Sequence, residues 1–136
     1  MSVVVAHQAS PIGHLTLQEA AKEANLRQAP LAVIHVAEGV DLDVVEAHKA
    51  GVGDEITQVL AEVGLEDLEW TLQVTTGPDV AEAVLDVAAA LETELLVIGA
   101  RRRTPVGKLF MGSVTQSILL HADVPVLVVK APADEK

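Results

Sequence analysis

Short apolar stretches alternate with longer amphipathic stretches along the chain, and this alternation predicts the fold. The first apolar stretch is rich in valine and shows no period-two alternation, which is typical of a strand buried on both faces of a parallel sheet. The apolar stretches predict strands at residues 3–6, 31–37, 68–76, 95–98 and 124–129. Apolar residues near helical spacing predict helices at residues 14–28, 80–92 and 114–122, and about twenty helical residues ending at Val63.

Strands and helices that alternate in this way predict an α/β fold, an open five-stranded parallel sheet with helices on both faces, similar to a Rossmann fold. We expect one domain over residues 1–131 and a frayed tail at residues 132–136. Ligands of such sheets bind beyond the carboxyl ends of the strands, where the strand order reverses. The candidate loops therefore follow Ala6, Ala37 and Ile98.

Local signals refine two of the helices. Thr16 and Glu19 have the spacing of a capping box near the start of the helix predicted at residues 14–28. Gly51 and Gly53 lie within the second predicted helix and weaken it, because glycine is a poor helix former.

Composition excludes several classes of protein. The 136 residues carry a formal net charge of -11, contain no cysteine, and include only Trp70 and Phe110 as aromatic residues. Acidic charge and scarce aromatics argue against nucleic-acid binding, and the lack of cysteine excludes disulfides and thiolate catalysis. No window reaches the ~18 apolar residues of a membrane span, and the start does not resemble a secretory signal. We therefore expect a cytoplasmic protein that binds neither membranes nor nucleic acid.

Positive charge is concentrated in the stretch ELLVIGARRRTPVGKLFMGSVTQSILL, residues 94–120. Arg101, Arg102, Arg103 and Lys108 are four of the nine basic residues of the chain. Glycines on both sides let a backbone approach a phosphate, and amides at the start of the next helix favour an anion. This stretch therefore predicts a docking site for an anionic ligand. A solvated loop, or one that pairs with acidic residues of another subunit, is the alternative.

The same stretch resembles the nucleotide-binding loop of the universal stress protein family. That loop has a glycine, two residues, a second glycine, nine residues, and then Gly-Ser or Gly-Thr. Gly99 fits the first position and Gly112 with Ser113 fits the last pair, but Arg102 stands at the second glycine. His35-Val36, Gly77 and residues 121–130 are also similar to the family, so the resemblance covers nearly the whole chain.

The resemblance implies a site for ATP or a related adenine nucleotide, with Mg²⁺ as a candidate accompanying ion. Its phosphate-binding residues would be Gly99, Arg101, Arg102, Gly112, Ser113, Val114 and Thr115. Its base and ribose side would be Ala6, His7, Gln8, Val36 and Ile98. Gln8 stands where nucleotide-binding members usually carry an aspartate, and a neutral amide is a weaker acceptor for a ribose hydroxyl.

Two residues of the loop have alternative roles. Arg102 either fills the space that a phosphate needs or binds the phosphate through its guanidinium group. Ser113 either contacts the phosphate or caps the next helix, in a capping box completed by Gln116.

For the whole protein, the family implies the strand order 3-2-1-4-5, with the last strand at an edge. An apolar edge needs a cover, so we expect a homodimer that pairs residues 124–129 with their copy. The predicted function is nucleotide binding in stress signalling towards an unknown protein partner, without enzyme activity beyond a very slow ATPase. The alternative is a dimeric interaction module that binds no ATP because Arg102 blocks the site. The five histidines form no HExxH motif and no i, i+4 pair, so we expect no metal site.

Overall fold

The computed structural model describes residues 1–37, 42–100 and 112–130, which form an alternating series of strands and helices. The strands are β1 Ser2–Ala6, β2 Leu31–Ala37, β3 Trp70–Thr76, β4 Thr93–Gly99 and β5 Val126–Val129. The helices are α1 Pro11–Arg27, α2 Leu42–Glu62, α3 Val80–Ala90 and α4 Ser113–His121. The predicted fold class is confirmed, and the elements differ from the predicted ones chiefly at their ends. The tail at residues 132–136 lies outside the described residues.

All strand pairs in the sheet are parallel, and the order is β3-β2-β1-β4-β5, as predicted. β1 is the central strand: Val4 pairs with Ala32 of β2 on one side and with Leu96 of β4 on the other. The valines of β1 are fully buried, which explains why this strand shows no alternation of polar and apolar residues. The strand order reverses beside β1, so its carboxyl end lies at the position where ligands of this fold class bind.

Two hydrophobic clusters cover the two faces of the sheet. On one face, Val3 and Val5 of β1 pack with residues of α1 and α2, including Leu17 and Ile56. On the other face, a second cluster joins strand residues to α3 and α4; among its members are Val4, Ile34, Val84 and Ile118. Successive side chains of a strand point to opposite faces, so neighbouring positions in one strand serve different sides of the sheet.

The start of α1 differs from the prediction. The N-cap is Ser10, whose side-chain oxygen accepts a hydrogen bond from the Gly13 amide, and Pro11 is the first helical residue. The predicted capping box at Thr16 is wrong, because Thr16 lies inside the helix and donates its hydroxyl to the carbonyl of Ile12 at 2.6 Å. The favoured position of proline at a helix start explains the observed boundary.

No helix among the described residues is long and apolar enough to cross a membrane.

Candidate functional site

A cavity of about 190 Å³ lies at the carboxyl ends of β1, β2 and β4. The helices α3 and α4 complete its walls. Its lining residues are Ala6, His7, Gln8, Ala9, His35, Val36, Val80, Val84, Ile98, Gly99, Val114, Thr115 and Ile118. This is the position that the strand order marks for ligands in open α/β sheets.

Eight of the residues that the sequence analysis put forward meet in this cavity. They are Ala6, His7, Gln8, Val36, Ile98, Gly99, Val114 and Thr115. Gly112 and Ser113 do not line it, although they come directly before Val114 at the start of α4. Arg101 and Arg102 lie outside the described residues.

One wall of the cavity is apolar. Ala6 and Val36 pack against the cluster on the α3 and α4 face, and Ile98, Val84 and Ile118 belong to that cluster. Side chains of this kind, with few polar groups among them, are typical of small-molecule sites. Val84 and Ile118 were not predicted as site residues, because their helical spacing indicated only that they face a core.

The start of α4 has no side-chain cap. Gly112 is the N-cap residue, and within residues 1–37, 42–100 and 112–130 no side chain caps this helix start with a hydrogen bond. The capping box predicted at Ser113 is therefore wrong, since Ser113 is the first helical residue. Gly112 has φ 82° and ψ 157°, a conformation that residues with a Cβ rarely adopt. Among the described residues, the amides of Ser113 and Val114 thus have no side-chain acceptor, as is typical of a helix start that binds an anion.

Gly99 is required for packing. A Cβ atom there would lie 2.6 Å from the Thr16 hydroxyl oxygen and 3.2 Å from Cγ1 of Ile12. Its carbonyl accepts a 3.0 Å hydrogen bond from the hydroxyl of Thr115, a side chain that is 3% exposed. The glycine thus lets α1 approach β4 closely, and the Thr115 hydroxyl hydrogen is already donated within the protein.

On the opposite face of the sheet, six side chains form a continuous line of hydrogen bonds, which we call the histidine chain. In order, the line runs through His48, His35, His7, Glu55, His14 and Glu62. His35 Nε2 lies 3.0 Å from Nδ1 of His48, and its own Nδ1 lies 2.9 Å from Nδ1 of His7. His7 Nε2 lies 2.7 Å from a carboxylate oxygen of Glu55. The rings of His7 and His35 therefore bond to α2 as well as bordering the cavity.

The other end of the histidine chain is more exposed. His14 lies 3.0 Å from the second oxygen of Glu55 and 2.7 Å from Glu62. The hydrogen bond to Glu55, supported by the one to Glu62, raises the pKa of His14 above its ordinary value. The hydrogen bond between His14 and Glu62 in turn lowers the pKa of Glu62. His14 is therefore the member best suited to carry a positive charge, between two carboxylates.

His35 is the opposite case. Burial is the main cause that lowers the pKa of His35 to about 4, and the neighbouring rings of His7 and His48 act in the same direction. The sequence contained two signals of this arrangement. His35 interrupts an otherwise apolar strand, and His48, Glu55 and Glu62 recur at a spacing of seven, which puts them along one face of α2.

Comparisons with known proteins agree with the fold. The model of the universal stress protein family matches residues 1–130. A universal stress protein of Mycolicibacterium smegmatis is 37% identical over 128 residues, which is 94% of this chain and 96% of that protein. Among solved structures, a universal stress protein from Archaeoglobus fulgidus is 29% identical with a TM-score of 0.76, over 96% of this chain and 98% of its own. The structure of the universal stress protein from Archaeoglobus fulgidus in complex with dAMP is 27% identical with a TM-score of 0.71, over the same shares.

Proposed function

This chain belongs to the universal stress protein family, and we propose that it binds an adenine nucleotide, ATP or a relative of it, in the cavity beside β1. The observation that carries the proposal is the meeting of an apolar wall and an uncapped helix start at the carboxyl ends of β1, β2 and β4. The similar protein from Archaeoglobus fulgidus, which has been solved with dAMP, supports an adenine nucleotide as the ligand.

The base and ribose are assigned to the strand ends. Ala6, Val36 and Ile98 offer apolar contact to a base, while Gln8 is exposed at the rim, where its side-chain amide can bond a ribose hydroxyl. His7 contributes little through its ring, because both ring nitrogens are engaged by His35 and Glu55.

The phosphates are assigned to the start of α4. Its first amides, which no side chain in the described part of the structure caps, and the positive end of the helix dipole favour a negative group near Ser113 and Val114. Arg101 and Arg102 belong to the cluster of basic residues that precedes α4 in the sequence, and we propose that they bind the phosphates instead of the glycine usual at position 102. Thr115 is limited to accepting a hydrogen bond, since its hydrogen is donated to Gly99.

We propose binding without turnover. None of the described residues that line the cavity is an aspartate or glutamate, so the described part of the site offers no carboxylate to hold Mg²⁺ or to activate water. A magnesium ion would have to arrive with the nucleotide, held by its phosphate oxygens. The protein then acts by presenting its nucleotide-bound state to a protein partner.

Calorimetry with a charge-matched pair of variants tests the site. Gln8→Asp restores a carboxylate at the ribose position, and a charge-assisted hydrogen bond is expected to tighten ATP or AMP binding about fivefold. Gln73→Asp makes the same charge change at an exposed position of β3, away from the cavity, and serves as the control. A parent that binds neither ATP, AMP nor cyclic AMP would contradict the proposal and favour the ligand-free interaction module.

The other proposal concerns assembly, a homodimer formed through β5 and the residues before it. β5 is an edge strand of the sheet, and its first three residues, beginning with Val126, are only partly buried. Leu120, in the last turn of α4, is 79% exposed, which is unusual for a large apolar side chain.

Light scattering with a second matched pair tests the dimer. We expect Leu120→Glu to convert the dimer to a monomer, because it puts a charge on an exposed apolar position in the last turn before the edge strand. Leu26→Glu serves as the control, since Leu26 is 75% exposed but lies on α1. A parent that is monomeric at micromolar concentration would contradict the dimer. A dimer that binds no nucleotide would support the interaction module.

A further inference from the structure

The hydrogen positions in the histidine chain follow from its carboxylate. A carboxylate only accepts, so His7 donates from Nε2 to Glu55. A neutral His7 then accepts at Nδ1, and the donor to it is Nδ1 of His35. Nε2 of His35 is in turn the acceptor for the Nδ1–H of His48. All the bonds from His48 to Glu55 therefore point in one direction.

In this arrangement Nε2 is the only ring nitrogen of His35 that can take up a proton, and it already accepts the hydrogen bond from His48. A proton that binds Nε2 of His35 replaces an acceptor with a donor, so the bond from His48 is lost in its present form. While His48 is neutral, it can move its own hydrogen to Nε2 and accept instead. Once both rings are charged, a hydrogen stands on each facing nitrogen and two like charges meet, so no arrangement of hydrogens restores the bond.

The bond that is lost holds a weakly packed part of the protein. From residue 43 onward, the buried side chains of α2 begin only at Val52, and they continue with Ile56, Val59 and Leu60. Residues 43–51 are exposed apart from Val45 and His48, which are half-buried. Gly51 and Gly53 separate the two halves, and a Cβ atom at either would meet nothing within 4 Å. Because glycine weakens a helix, this junction is the natural place for α2 to divide.

We propose that His35 and His48 form an acid-released latch, which holds residues 43–51 of α2 against β2 at neutral pH and frees them when the solution becomes acidic. Residues 52–62 stay packed on the sheet through their buried side chains. The latch operates without any nucleotide, so it goes beyond the proposed function.

The surroundings of His35 determine when it takes up a proton. Among the described residues, the titratable groups that act on it are His7 of β1 and His48 and Glu55 of α2. His14 of α1 reaches it only through Glu55, and the β3 residue paired with it is Val74, which does not titrate. Burial and the two histidines oppose the proton, so the latch stays closed until well below neutral pH.

A metal ion is a poorer explanation of the same side chains. Both ring nitrogens of His7, His14 and His35 each pair with one neighbouring atom along the line, and the side chains do not converge on one point. No group of three or more histidine, cysteine, aspartate or glutamate residues in the described part of the chain is arranged to hold a metal.

Hydrogen exchange read by mass spectrometry, corrected for intrinsic exchange at each pH, tests the latch. In the parent, protection of residues 43–51 is expected to fall between pH 6 and pH 4, while residues 54–62 keep theirs. In His48→Ala, exchange of residues 43–51 is expected to be about tenfold faster already at pH 7 and to lose most of this pH dependence, since one hydrogen bond is missing. His121→Ala removes a histidine that is not part of the histidine chain, and this variant is expected to show the same exchange as the parent.

Three results would overturn the latch. The first is that the protection of residues 43–51 in the parent does not change with pH. The second is that His48→Ala keeps the pH dependence of the parent, and the third is that both halves of α2 lose protection at the same time. Nitrogen NMR of the imidazole rings gives a second, independent measurement in the parent. At pH 7 it is expected to find the hydrogen of neutral His35 on Nδ1, and a hydrogen on Nε2 instead would contradict the directed chain.

Discussion

The substitution Gly99→Ala separates the packing role of this glycine from a role in phosphate binding. The added Cβ atom would lie 2.6 Å from the Thr16 hydroxyl oxygen, whereas ordinary contact begins near 3.4 Å. Thr16 cannot easily move, because its hydroxyl donates to the Ile12 carbonyl and its side chain is 1% exposed. Overpacking of this kind costs about 1–3 kcal/mol of unfolding free energy.

A double-mutant cycle identifies the cause. Thr16→Ala removes the clashing oxygen and on its own is expected to cost about 1 kcal/mol. The double variant is expected to cost less than the sum of the two single variants by about 1 kcal/mol, because the alanine at position 99 fills the space that is vacated. Thr16→Ser keeps the oxygen and is the matched control that should not rescue Gly99→Ala.

Urea unfolding followed by the fluorescence of Trp70, the one tryptophan, measures these free energies. A Gly99→Ala protein within about 0.5 kcal/mol of the parent would refute the packing argument. So would a cycle in which the two costs simply add.

Three further predictions concern stability. The pKa of His35 is about 6.5 in the unfolded chain and is lowered to about 4 in the folded protein, so the contribution of His35 to the unfolding free energy is expected to fall by about 2 kcal/mol from pH 7 to pH 5. The raised pKa of His14 acts in the opposite sense over this range, so the parent is compared with His35→Gln by urea unfolding; the same pH slope in both proteins would contradict the prediction. Gly112→Ala is expected to lower the melting temperature, because the positive φ of Gly112 makes a side chain there cost about 1–3 kcal/mol of unfolding free energy. Gly53→Ala, in α2 where a Cβ atom would meet nothing within 4 Å, is expected to raise the unfolding free energy by about 0.5–1 kcal/mol, and the reverse order of the two variants would be inconsistent with the geometry. Thr115→Val removes a buried hydrogen bond to the Gly99 carbonyl and is expected to lower the unfolding free energy, measured in urea, by about 1–2 kcal/mol. Thr57→Val removes an exposed hydrogen bond and is expected to lower it by well below ~1 kcal/mol, so equal losses would argue against the Gly99 contact.

The sheet could be predicted because its signals are local and repeated. Apolar runs without alternation in β1 and β2 can be satisfied only by burial on both faces, and helices between strands make the sheet parallel. The ends of elements were harder. Thr16 and Glu19 have the spacing of a capping box, yet Ser10 followed by Pro11 formed the actual start, so two local patterns competed for one helix.

The candidate site was predictable in part, for a related reason. Strand ends meet at one edge of a parallel sheet, so Ala6, Val36 and Ile98 could be grouped before their contacts were known. The histidine chain could be predicted only in part. The spacing of His48, Glu55 and Glu62 puts them on one face of α2, but His7 and Glu55 are 48 residues apart and meet only through the exact register of α2 on the sheet. The role of Gly99 was hidden in the same way, since the atoms it avoids belong to α1.

An amide NMR titration of the parent protein with AMP and ATP tests nucleotide binding in this cavity most directly. We expect saturable shift changes centred on Val36, Ile98, Val114 and Thr115, larger with ATP near the start of α4. No shift changes at millimolar nucleotide, or changes centred on the opposite end of the sheet around residues 64–69, would contradict it.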